Sequence, residues 1–115
     1  MVPKSNFIPP WKRKTDTVNA SATKTIFTQS LSEFRSLKLI LSASNSTEDK
    51  TRQIEMTIIN VDGDVKDSIR SRLGANPSFS ISAYESSGDL KIDITNNESY
   101  NIGVNFIYAA FKAVL

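Results

Sequence analysis

Residues 78–108, SFSISAYESSGDLKIDITNNESYNIGVNFIY, decide the fold. Phe79, Ile81 and Ala83 alternate with Ser78, Ser80 and Ser82. Ser86-Ser87-Gly88 then supplies a turn, and Leu90, Ile92 and Ile94 alternate with Lys91, Asp93 and Thr95. After Asn96-Asn97, Tyr100, Ile102, Val104, Phe106 and Tyr108 line one face of a long strand. A strand sends successive side chains to opposite faces, so this period-two pattern predicts three half-buried strands in a meander.

The same signal runs back toward the N-terminus. Thr23–Gln29 is rich in β-branched and aromatic residues, and Leu37, Leu39 and Leu41 form a leucine face. Ile54, Met56 and Ile58 mark a strand over about 52–61, and Asp62-Gly63 is a strong hairpin signal after it. Val65, Ile69 and Leu73 form a weaker segment of uncertain type. Phe27, Leu31 and Phe34 are spaced near 3.6, which allows one helical turn over 30–35. The count predicts an all-β chain: a single antiparallel β-sandwich or jelly roll of six to eight strands. The domain is expected over 15–115, preceded by an extended arm over 1–14.

That arm, MVPKSNFIPPWKRK, has no periodic pattern. Pro3, Pro9 and Pro10 remove backbone donors and fix φ, which favours an extended course. Phe7, Ile8 and Trp11 are apolar anchors, and Lys12, Arg13 and Lys14 form a basic rim. These six residues are the expected partner-binding set. Four of the fourteen Lys and Arg residues fall in this stretch and none of the twelve acids does, so the remainder is slightly acidic. A basic group beside Trp11 also suits phosphate contact and base stacking, but the acidic body opposes a nucleic-acid face.

Composition limits the chemistry. At 115 residues the chain is one domain, and 39% hydrophobic with 23% charged residues is ordinary for a globular one. It has no cysteine, hence no disulfide or thiolate site, and no histidine, which removes His-based triads and the commonest metal ligand. Neither a signal peptide nor an apolar run long enough for a membrane span is visible, so retention in a cytoplasm until a partner is met is the expectation. Asp62, Asp64 and Asp67 resemble a scrap of a calcium loop, without the ligand register or terminal Glu of one. Arg70 and Arg72 offer an interface ion pair or a solvated strand face. Asp89, Asp93 and Glu98 are the carboxylates a glycosidase-like pair would draw on, but alternation puts Asp93 on the solvent face. Asn19, Asn45 and Asn97 begin matches to the N-glycosylation acceptor, which read as chance without a secretory signal. Only four glycines are present and no phosphate loop or nucleophile elbow, so no enzyme and no cofactor are expected.

Two long runs carry a resemblance. They are TVNASATKTIFTQSLSEFRSLKLILSASNSTEDKTRQIEMTIINVDGDV (17–65) and PSFSISAYESSGDLKIDITNN (77–97). They resemble small β-sandwich modules of tailed-bacteriophage virion proteins. The features are a Thr/Ser-rich first strand, the element Ser32 to Ser36, the strand Ile54 to Ile59 with the turn Asp62-Gly63, and the strand Gly88 to Asn96. The resemblance implies assembly rather than catalysis, in tail fibres, baseplates or capsid decoration (cement) proteins. This chain holds one module, lacks a shaft repeat and adds the proline-rich arm. The leading expectation is therefore a capsid decoration protein that docks through its arm on capsid or tail structural proteins, as a symmetric oligomer in the virion. A tail-fibre, baseplate or adaptor subunit is the alternative. A carbohydrate-binding sandwich is a third reading, with Tyr84, Tyr100 and Tyr108 as aromatic platforms; alternation assigns Tyr100 and Tyr108 to the core instead.

Overall fold

The computed structural model describes residues 11–45 and 47–112. They form eight strands: β1 (Lys12–Val18), β2 (Thr23–Ser30), β3 (Ser36–Asn45), β4 (Lys50–Val61), β5 (Asp64–Leu73), β6 (Phe79–Ser86), β7 (Asp89–Asn96) and β8 (Ile102–Phe111). A single 3-10 turn, Leu31–Glu33, links β2 to β3. It sits where the 3.6-residue spacing of Phe27, Leu31 and Phe34 allowed one turn, and the Ser30 side chain accepts from the Ser32 amide at its start.

Two antiparallel sheets pack as a β-sandwich. The large sheet has the order β1-β8-β3-β4-β5 and the small sheet β2-β7-β6. The large sheet's inner face carries Leu37, Leu39, Leu41 and Ala43 from β3. It adds Ile54, Met56 and Ile58 from β4, and Ile102, Val104, Phe106 and Tyr108 from β8. Against them the small sheet places Phe27, Phe79, Leu90, Ile92 and Ile94. The Phe27 ring meets Tyr108 edge-on at 4.7 Å and Phe106 at 6.3 Å, which locks the two layers at one point. Burying each large apolar side chain contributes about 1.5–3 kcal/mol, so these alternating residues drive the fold.

Three departures from strict alternation have visible causes. In β2 the register shifts between Thr25 and Phe27, so the consecutive residues Ile26 and Phe27 are both buried. In β5 the register jumps from Glu55↔Ser71 to Met56↔Ile69, and Arg70 is the extra residue. That bulge explains the weak pattern of Val65, Ile69 and Leu73. The third is at the N-terminus: β1 starts at Lys12, inside the stretch expected as an extended arm over 1–14. Lys12, Arg13 and Lys14 pair with Tyr108, Ile107 and Phe106. Of β1 only Val18 is fully buried, so this edge strand carries no hydrophobic alternation that a sequence reading could detect.

The turns follow local chemistry. Asp62 (φ +53°) and Gly63 (φ +86°) connect β4 to β5, and Ser87 (φ +53°) with Gly88 (φ +82°) connect β6 to β7. Both are two-residue hairpins with positive φ at each position, the combination that matches strand twist. At the other end, β8 begins at Ile102, so Tyr100 precedes the strand, and it continues to Phe111, past Tyr108 where the clear alternation ends.

Candidate interaction surface

The pairing register sorts the large sheet's outer face into rows. One row runs Phe111, Ser36, Ile59, Lys66, and the next runs Ala109, Lys38, Thr57, Ser68. A third runs Arg13, Ile107, Ile40, Glu55. A fourth runs Thr15, Asn105, Ser42, Gln53. Large apolar side chains are therefore interspersed among polar ones toward the end nearest the β4–β5 turn, and the fourth row is polar throughout. Ile59 and Val61 are 40% and 47% exposed there, and Phe111 is 37% exposed.

Trp11 completes this patch. It precedes Lys12, whose partner is Tyr108, so it stands level with Ala109 on the outer face. Its side chain lines a hollow of about 240 Å³ with Lys38, Ile40, Glu55 and Thr57, which are on β3 and β4. The indole thus reaches inward over the sheet from the β1 edge. Ala109 is fully buried although it faces outward, and a small side chain there leaves room for the ring. A solvated sheet face carries polar residues, so Ile40, Ile107, Ile59 and Phe111 on the same face as a half-exposed tryptophan make this the candidate interaction surface.

The expected partner-binding set divides. Trp11 joins the patch, and Arg13 lies on its margin with Nε donating to Asn105 Oδ1 at 3.1 Å. Lys12 and Lys14 turn to the other side of β1, toward the gap between the sheets. Lys12 lines a shallow hollow with Gln29, Tyr108 and Ala110, and Lys14 Nζ lies 6.0 Å from the Phe27 ring centre. Phe7 and Ile8 fall outside the described residues. The sequence reading missed Ile40, Ile59, Ile107 and Phe111 as surface residues. Their signal was present as apolar residues in the polar phase of β3, β4 and β8.

The other candidates have structural roles. Asp93 accepts from Thr25 Oγ1 at 2.6 Å and from the Tyr84 hydroxyl at 3.0 Å. The Asp93 bond raises the Tyr84 hydroxyl's pKa above the usual tyrosine value. Glu98 Oε2 accepts from the Ser78 amide at 2.7 Å. Asp89 and Asp93 share the outer face of β7 but are four residues apart, about 13 Å at a strand's rise, beyond the spacing of a glycosidase pair. Asp62 and Asp64 flank Gly63 in the hairpin, and Asp64 pairs with Lys66 at 3.2 Å. Among the described residues no group of three acids could hold a metal ion. Arg70 is the extra residue of the β5 bulge, and Arg72 lies on the inner side of β5 opposite Ile54; both are exposed. Tyr108 is buried in the core, and Tyr100 packs against its margin, where burial raises the hydroxyl's pKa. Neither offers a sugar platform.

No protein-family model matches the chain, and no curated protein matches it. Among solved structures it is similar to the Acinetobacter phage vB_ApiP_P1 tailspike protein, with a TM-score of 0.52 and 11% sequence identity. The similarity covers 99% of this chain and 23% of the tailspike chain, so the protein spans about a quarter of that length. At this identity the comparison speaks to fold: the whole eight-stranded sandwich has a counterpart within a phage tailspike.

Proposed function

We propose that this chain is a structural subunit of a tailed-bacteriophage particle, and that it works by docking the Trp11 face of its large sheet on a neighbouring subunit. The observation that carries this reading is the apolar outer face, formed by Trp11, Ile40, Ile59, Ile107 and Phe111 where a free-standing sheet would be polar. The fold's counterpart in a phage tailspike supports a place on the tail side. Phe7 and Ile8, the apolar residues of the sequence before Trp11, are proposed to share in this contact. No catalytic step and no cofactor are part of the proposal.

A capsid decoration role is the second reading. Its support is the concentration of Lys12, Arg13 and Lys14 at the start of a slightly acidic body, which suits clamping onto an acidic lattice surface. Separating heads from tails of the particles that encode this chain, followed by mass spectrometry, distinguishes the two. Recovery with tails supports the leading reading, recovery with heads supports decoration, and absence from both rejects a virion role. Deletion of residues 1–10 takes away Phe7 and Ile8 without cutting β1, and it should weaken attachment to particles while leaving the fold intact.

A further inference from the structure

The edge opposite β1 carries a separate feature. There β5 and β6 are the edge strands of their two sheets, joined by a crossover at residues 74–78. Between them lies a cleft of about 230 Å³ lined by Arg52, Ile54, Ile69, Arg72, Phe79, Ser80 and Ile81. Arg52 stacks over the Phe79 ring at 4.8 Å, and one terminal nitrogen makes a long 3.4 Å bond to the Phe79 carbonyl. Its Nε is buried without an acceptor among the described residues. Arg72 has been turned to the same side by the bulge at Arg70. Neither arginine is in the ion pairs of the described residues, which are Lys24–Asp16 and Lys66–Asp64.

Two guanidinium groups therefore border one apolar cleft with most of their donors uncommitted. Keeping a cation at a half-buried site with an unsatisfied nitrogen is costly, and an oxyanion offsets that cost. The walls Ile54, Ile69, Phe79 and Ile81 select among oxyanions, because they match an aliphatic stem that a free phosphate lacks. The flanking edge strands add unpaired backbone groups that can hold an extended segment. Gly74 fixes the geometry. Its φ is +85°, and a Cβ there would lie 2.7 Å from the Thr51 carbonyl and 3.3 Å from Arg52 Cα.

We propose that this cleft receives a glutamate side chain from an extended acidic segment of a neighbouring protein, its carboxylate held between Arg52 and Arg72. The idea rests on the binding-module reading above, but its test needs only the isolated chain. The ¹⁵N-labelled full-length protein is titrated with acetyl-Gly-Glu-Gly-amide while the Arg52 Nε–H resonance is followed by NMR. The expected result is a saturable shift, at least about tenfold weaker with the Gln peptide, which loses the charge-assisted bond, and weaker also with inorganic phosphate, which lacks the aliphatic stem. Arg72→Gln, at an exposed side chain, should weaken binding by a similar factor and leave the melting temperature unchanged. Absence of a saturable shift, equal binding of the Gln peptide, or tighter binding of phosphate would each overturn the proposal. Separation of this chain from virions in the fractionation above would leave these outcomes readable.

Discussion

Asn96 stands where the inner face of β7 runs out of apolar partners, and it is 1% exposed. Its amide donates to the carbonyls of Val18, Asn19 and Tyr100 at 2.8–3.2 Å, while Oδ1 accepts from the Glu98 amide at 2.9 Å. One side chain thereby ties the end of β1 to the loop before β8. Asn96→Ala leaves the buried Val18 carbonyl and two part-buried ones without this donor, and chemical denaturation should show a loss of about 1–3 kcal/mol. The exposed Asp16–Lys24 pair, at 2.6 Å, is a contrasting case. The hydrogen bond from Lys24 holds the Asp16 carboxyl below its usual pKa. A depressed carboxyl contributes stability above its unfolded pKa and loses it as pH falls through the folded one. Comparing wild type with Lys24→Ala should show a difference of at most about 1 kcal/mol at neutral pH, lost in acid as the pH falls through the lowered Asp16 pKa. Gly74→Ala meets both a left-handed φ and the Thr51 carbonyl, so it should destabilise by about 1–3 kcal/mol in the same assay.

At the scale of elements, burial and register separate the strands that carry the fold from those that finish its edges. β3, β7 and β8 are central, and their inner faces are fully buried. Phe106→Ala in β8 removes a ring that packs on Phe27 and Tyr108, and should cost about 3–5 kcal/mol by equilibrium unfolding. These strands were legible in the sequence because one buried face and one wet face write a period of two directly into residue type. The edges were not. β1 buries little beyond Val18, so its residues Lys12 to Thr17 look like any polar segment, and its pairing with β8 is a long-range fact. In β5 the extra residue Arg70 reverses the phase midway, which hides the strand and sends Arg72 to the opposite face from the one alternation assigns. The Trp11 patch was half legible. Trp11 itself stood out, but Ile40, Ile59, Ile107 and Phe111 come together only when β8, β3 and β4 are laid side by side.

Across the whole molecule, polarity is arranged face by face. The small sheet's outer face is Ser/Thr-rich and self-bonded: Thr23 meets Thr95 at 2.8 Å, and Thr25 and Tyr84 share Asp93. The large sheet's outer face carries Trp11, Ile40, Ile59, Ile107 and Phe111 among polar residues over one half. A module that ends its life in solution gains nothing from that asymmetry, whereas one that docks in a fixed orientation requires it. Ile59→Lys with Ile40→Ser should cost about 1–2 kcal/mol, nearly all of it from the partly buried Ile40, and leave the protein folded by chemical denaturation. The same double variant should lose incorporation into particles. The most direct measurement is a cryo-EM map of the intact particle that encodes this chain. The account predicts an eight-stranded sandwich on the particle with Trp11 and Ile59 against a neighbouring subunit and the Thr25–Asp93 face toward solvent. A map in which the Trp11 face is solvated, or in which no such sandwich is present, would contradict it.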